Sequence, residues 1–152
     1  MKKFTFPFAV FQYPDGSVDP MGHPCLWLNV VNPEKNISEK IWGLVDTGAD
    51  SSLFPATLAV NLGHNLKGNG VKSTTNIGIE QKEITVYSHS FTIELLDPEH
   101  KDVIWKSENT TIDCSETNPP VLIGVNNFLK NFKLTIDYPN QEFELEWTDD
   151  KN

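Results

Sequence analysis

The chain has 152 residues, 38% hydrophobic and 11% aromatic, a composition that suits one globular domain and excludes a disordered segment. Its 21 acidic residues outweigh 12 basic ones for a formal charge of −9, and no dense basic stripe exists, so a nucleic-acid partner is disfavoured. The two cysteines, Cys25 and Cys114, cannot make a disulfide framework, and neither stands at metal-ligand spacing, so no metal or other cofactor is expected.

In chain order, Phe4, Phe6 and Phe8 alternate with Thr5 and Pro7 and predict an edge strand. The apolar stretch 4–11 is too short and broken for a secretory signal, and no run reaches the length of a membrane helix. A cytoplasmic protein without a membrane partner is the expectation, and the sequons at Asn36 and Asn109 are then incidental. Leu26, Leu28 and Val30 alternate with Trp27 and Asn29 as a second strand, and 41–45 is a dense apolar run that ends at Asp46. A helix is predicted over 55–62, with proline in its first turn and Gly63 just past its end. Residues 76–81 read as a hairpin, whose return arm carries Phe91, Ile93 and Leu95 to a turn at Asp97-Pro98. Two separate strands are predicted over 103–105 and 110–114, then a short buried one over 121–124 and one or two helical turns over 126–131. Leu134, Ile136 and Tyr138, the turn Pro139-Asn140, and Phe143, Leu145 and Trp147 form the clearest hairpin. Trp42, Trp105 and Trp147 are expected in the core or an interface. Many short strands, no repeat and no linker predict one mostly β domain over 1–152.

The chemistry-bearing segment is Leu44-Val45-Asp46-Thr47-Gly48-Ala49-Asp50-Ser51-Ser52, an acid at the tip of an apolar strand. Alone it also fits a turn or N-cap aspartate ahead of the helix. Far downstream stands Val121-Leu122-Ile123-Gly124, followed by Asn126-Asn127-Phe128. Together, in this order, the two segments resemble the catalytic loop and supporting strand of aspartic peptidases, in particular the small bacterial retropepsin-like family. The resemblance covers nearly the whole chain, including the short helix after the loop and the helix and hairpin that follow Phe128.

That resemblance implies an all-β, retropepsin-like acid protease half-barrel with one or two short helices, working as a homodimer. It implies an aspartic endopeptidase, a hydrolase acting on a peptide or protein substrate. Asp46, Thr47 and Gly48 would form the catalytic loop, the Thr47 hydroxyl tying the two loops together across the dimer. Ala49, Asp50, Ile77, Gly78 and Ile79 would line the substrate groove, with 76–81 as the flap. The sequence departs from the family at Val125, where many members carry an arginine that pairs with the aspartate found here as Asp50.

Amide hydrolysis needs an activated water and a protonated leaving nitrogen, and two carboxyls sharing one proton supply both. Two carboxylates ~3 Å apart repel by about 5 kcal/mol at an effective dielectric near 20, so such a couple keeps one proton over a wide pH range. Glycine at 48 would let the backbone turn sharply and approach the substrate. One chain holds a single Asp-Thr-Gly, so an active enzyme would need a twofold axis that brings two copies of Asp46 together. The rival reading is a non-catalytic dimer of the same fold that binds a peptide or protein partner in its groove.

Overall fold

The structure, a computed structural model, describes residues 1–77 and 83–149, and of Asn76 and Ile77 the backbone alone. The elements are β1 (Lys2–Pro7), β2 (Cys25–Asn32), β3 (Ile37–Val45), β4 (Leu53–Pro55), α1 (Ala56–Asn61), β5 (Ser73–Ile77), β6 (Glu83–Leu96), β7 (Val103–Ser115), β8 (Leu122–Ile123), β9 (Lys133–Asp137) and β10 (Glu142–Trp147). A 3-10 turn over Leu129–Asn131 precedes β9.

The larger sheet runs β2-β3-β8-β4-β7-β6-β5, and β2 pairs again with β6. Thus β2, β3, β8, β4, β7 and β6 close a ring, and β5 hangs outside it from β6. Closure follows from alternation: β2 turns Leu26, Leu28 and Val30 inward, and β6 answers with Ile93 and Leu95 in the registers Val30↔Ile93 and Leu28↔Leu95. Val45, Phe54, Phe91, Ile112, Cys114 and Ile123 complete the buried filling.

Helix α1 confirms the expected segment but is shorter, with Pro55 standing just before its first turn at ψ 142°. Gly63 follows its end at φ +90°, where the N–H groups of Gly63 and His64 bond the carbonyls of Val60 and Ala59. Buried Asn32 gives its amide to the carbonyl of Leu62 at 2.8 Å and fastens this end to β2.

The strands predicted apart over 103–105 and 110–114 are one strand, β7. Asn109 takes φ +52°, and the register against β6 moves from Phe91↔Thr110 to Ile93↔Ser107 across the irregularity. The polar run that reads as a break is therefore a bulge, stapled by Ser107 Oγ and Thr110 Oγ1 at 2.7 Å.

A second sheet of three strands, β1-β10-β9, carries the predicted edge strand β1 and the predicted terminal hairpin. Phe4 and Phe6 oppose Leu145 and Phe143, which oppose Leu134 and Ile136, so one face is apolar and joins the core. The other face bears Lys3, Thr5, Glu142, Glu144, Glu146, Lys133 and Thr135. Residues 8–24 return the chain from β1 to β2 and lay Phe11 on Trp42, ring centres 4.7 Å apart.

Candidate active site

Asp46 directly follows β3, and the strand behind it is clamped on both sides. Parallel pairing of β3 with β8 sets Leu44 beside Leu122 and Val45 beside Ile123. The N–H of Leu44 bonds the carbonyl of Val121, that of Asp46 the carbonyl of Ile123, and that of Val45 the carbonyl of Pro24, each at 2.9 Å. A Cβ at Gly43 would lie 2.9 Å from the side chains of Val121 and Ile123, which shows how closely β3 and β8 pack.

Within the loop, Asp46 Oδ1 accepts the N–H of Gly48 at 3.0 Å, and the Asp46 carbonyl accepts the N–H of Ala49 at 3.2 Å. The side chain thus organises a turn, as the plainer sequence reading allows, but it does not cap α1, whose N-cap is Pro55. Asp46 is half-buried, while Thr47 and Gly48 are exposed at the tip. Gly48 is not among the glycines with positive φ, and a Cβ there would meet Asp46 Oδ1 at an ordinary 3.4 Å. The chain does turn at 47–48, as expected from sequence, but without a left-handed conformation at Gly48.

The far side of the loop is tied to the segment after β8. Val125 N–H bonds the Ala49 carbonyl at 3.0 Å, and Asn126 N–H bonds the Asp50 carbonyl at 2.7 Å. Buried Ser52 accepts the N–H of Gly124 on its hydroxyl at 2.9 Å, and its own N–H reaches Asn127 Oδ1 at 2.9 Å. Gly124 is required for this contact, since a Cβ there would stand 2.4 Å from the carbonyl carbon of Ser51. The whole chain holds no arginine, and no described lysine pairs with Asp50. At Val125 the backbone therefore makes the tie to the Asp50 segment.

Asp46, Thr47, Gly48, Ala49 and Asp50 share this one loop. Ile77 ends β5, paired with Glu83, whereas Gly78 and Ile79 lie outside the described residues. Sequence reasoning passed over Ser52 and Asn127, whose isolated polar letters give no hint of partners more than 70 positions away. It also passed over Leu44, Leu53 and Leu122, which the pairings Leu44↔Leu122 and Leu53↔Leu122 place on one face beside Asp46. All three are half-buried, opposite in facing to buried Val45, Phe54 and Ile123. Alternation in 44–45 and 53–54 was the available signal.

An open apolar groove of about 380 Å³ runs between Trp27 and Trp42 on one side and Pro119, Pro120 and Val121 on the other. Trp42 is thus a groove wall and 38% exposed, whereas Trp147 is buried as expected. A larger hollow of about 510 Å³ lies beside Trp105 and Trp147, away from the loop. Neither is lined by Asp46. Burial pushes the Cys25 thiol up to about 11 and the Cys114 thiol up to about 12, so neither is a ready nucleophile. Among the described residues no three metal-ligating side chains gather, and no helix is long and apolar enough to cross a membrane.

No protein-family model matches the sequence, and neither does the sequence of any curated protein. Among solved structures, the chain is similar to a retropepsin-like aspartic protease from Rickettsia conorii, with a TM-score of 0.60 and 18% identity. The match covers 96% of this chain and 91% of that one. At this identity the likeness shows the fold: all-β and retropepsin-like.

Proposed function

We propose that this chain is one half of an aspartic endopeptidase, active as a homodimer in which two copies of Asp46 share the chemistry. The observation that supports it most is the construction of the loop: an acid at an apolar strand tip, clamped by Pro24, Val121 and Ile123, with an exposed Thr47-Gly48 beyond it. Such clamping costs a chain backbone entropy and close packing at Gly124, and it holds Asp46 half-buried rather than enclosed. A lone carboxylate on an open surface cannot serve as base and acid together. Two of them facing each other can take a proton from water as its oxygen attacks the peptide carbonyl, and return a proton to the leaving nitrogen as the C–N bond breaks. Thr47 is exposed, and in the dimer its hydroxyl would join the two loops at the axis.

Leu44, Leu53 and Leu122, with Ala49 and Asp50, would form the chain's share of the substrate walls, and Ile77, Gly78 and Ile79 the cover over them. Apolar side chains of an extended peptide suit the leucine walls. The purified protein is expected to cleave a denatured protein below about pH 6. Asp46→Asn should lower the rate by roughly 10²–10⁴-fold while leaving the denaturation midpoint nearly unchanged. Cleavage by the Asn variant at the parent's rate would remove Asp46 from the mechanism. Tight peptide binding by the parent with no cleavage at any pH would instead favour the non-catalytic dimer.

A further inference from the structure

Of all the asparagines in the chain, Asn69 alone is followed by glycine. An asparagine side chain is open to attack by the backbone nitrogen of the next residue, and access decides the rate. A side chain on that next residue crowds the nitrogen, and proline has no N–H to lose. A hydrogen bond on the asparagine amide holds it away. Asn32 and Asn118 precede proline, and Asn36 and Asn109 precede the β-branched Ile37 and Thr110. Asn131 and Asn140 have their amides engaged, by the Phe128 carbonyl and by Asp137 Oδ2, each at 2.8 Å. Asn69 meets none of these obstacles. The N–H of Val71 bonds the carbonyl of Gly68 at 3.2 Å, so Asn69 and Gly70 are the two central residues of a tight turn, with Gly70 at φ +80°. Both are exposed, and a Cβ added at Gly70 would find nothing within 4 Å. Among the described residues no hydrogen bond holds the Asn69 amide or the Gly70 N–H.

We propose that Asn69 is a site of spontaneous covalent modification, where the chain converts its own asparagine to aspartate and isoaspartate. The Gly70 nitrogen, once base has taken its proton, attacks Asn69 Cγ. The new N–Cγ bond closes a cyclic imide, the Cγ–Nδ2 bond breaks, and the side-chain nitrogen leaves as ammonia. Water then opens the ring, and nothing is oxidised or reduced. Addition at Cγ gives an ordinary aspartate; addition at the main-chain carbonyl gives an isoaspartate, whose backbone is one methylene longer. Either product adds a negative charge to a chain that already carries −9. The turn is free to absorb the change because it stands between anchors. Before it, the Leu66 carbonyl lies 3.0 Å from His89 Nε2, and Lys67 reaches Glu116 at 2.8 Å. After it, the Lys72 carbonyl accepts the N–H of Ser88 at 3.0 Å. The extra methylene therefore falls on residues 68–71, and β5 beyond them keeps its register with β6.

The test is to hold the full folded chain at pH 7 and at pH 8, and to follow peptide 68–72, released by cutting after Lys67 and Lys72, by mass spectrometry. The peptide should gain about one mass unit and separate into two species on a column. Its conversion should run about tenfold faster at pH 8, because the attacking form is the deprotonated nitrogen. Only the isoaspartyl species should take up a labelled methyl group from an isoaspartyl-specific methyltransferase. Asn69→Gln, which would have to close a larger ring, should keep its mass over the same time, and its urea midpoint should match the parent's because the side chain has no partner to lose. Full conversion of the parent should likewise leave that midpoint in place. A parent peptide 68–72 that keeps its mass, conversion at Asn69 no faster than at Asn36 or Asn109, or an Asn69→Gln chain that gains charge at the parent's rate would each overturn the proposal. None of these outcomes depends on whether the chain cleaves peptides.

Discussion

At the scale of single residues, the site depends on one glycine that no chemistry uses. Gly124 sits against the backbone of Ser51, so Gly124→Ala must push a methyl into a space 2.4 Å from a carbonyl carbon. Backbone cannot rotate away as a side chain can, and the substitution should cost about 3 kcal/mol. Because the strain falls on the loop 49–52, cleavage should be lost even where the variant remains folded. Urea unfolding and a peptidase assay check the two effects, and an unchanged unfolding midpoint would count against the clamp. Asp46 and Gly124 were both legible in the sequence, since each belongs to a motif. Ser52 stands at the end of the first segment, yet its role was not legible: its hydroxyl matters because Gly124 N–H is buried against it. Nothing in a string of letters marks which serine meets a partner that far along the chain.

At the scale of elements, the end of α1 carries a built-in sensitivity to acid. His64 stands three positions past the helix, its ring 4.7 Å from that of His89 and its Nε2 3.0 Å from the carbonyl of Ser90. Burial first, and the neighbouring His89 second, hold its pKa below the ordinary histidine value of 6.5. Below that value the unfolded chain takes up a proton that the folded chain resists. Stability is therefore complete above about pH 6.5, falls as pH drops through the ordinary value, and levels off below the depressed one. His64→Gln, which can keep the bond to Ser90, should flatten that part of the curve; chemical denaturation at pH 7.5 and 5.5 measures it. An identical pH dependence in parent and variant would exclude His64 as the source. Strands such as β2, β9 and β10 could be read directly, because alternation is written in neighbouring residues. The bulge in β7 and the β2–β6 closure could not. The first depends on one asparagine accepting a left-handed conformation, and the second on strands that share no local signal.

At the scale of the whole molecule, the proposed pairing of two half-sites would link folding to concentration. A hundredfold rise in protein concentration stabilises a folded dimer by about 2.7 kcal/mol. Shared between two chains of this size, that should raise the thermal midpoint by about 3–5 °C. Calorimetry across that range reads the shift, and a midpoint independent of concentration would argue for a self-sufficient monomer. The three-stranded sheet has a different consequence, for the order in which the chain comes together. β9 and β10 are joined by a tight turn and can zip locally, but β1 meets β10 only across almost the full length of the polypeptide, from Lys2↔Trp147 to Pro7↔Glu142. Until that late arrival, β10 shows a raw hydrogen-bonding flank during folding, and the carboxylates of Glu142, Glu144 and Glu146, set at every second position, are what repel stray strands from it.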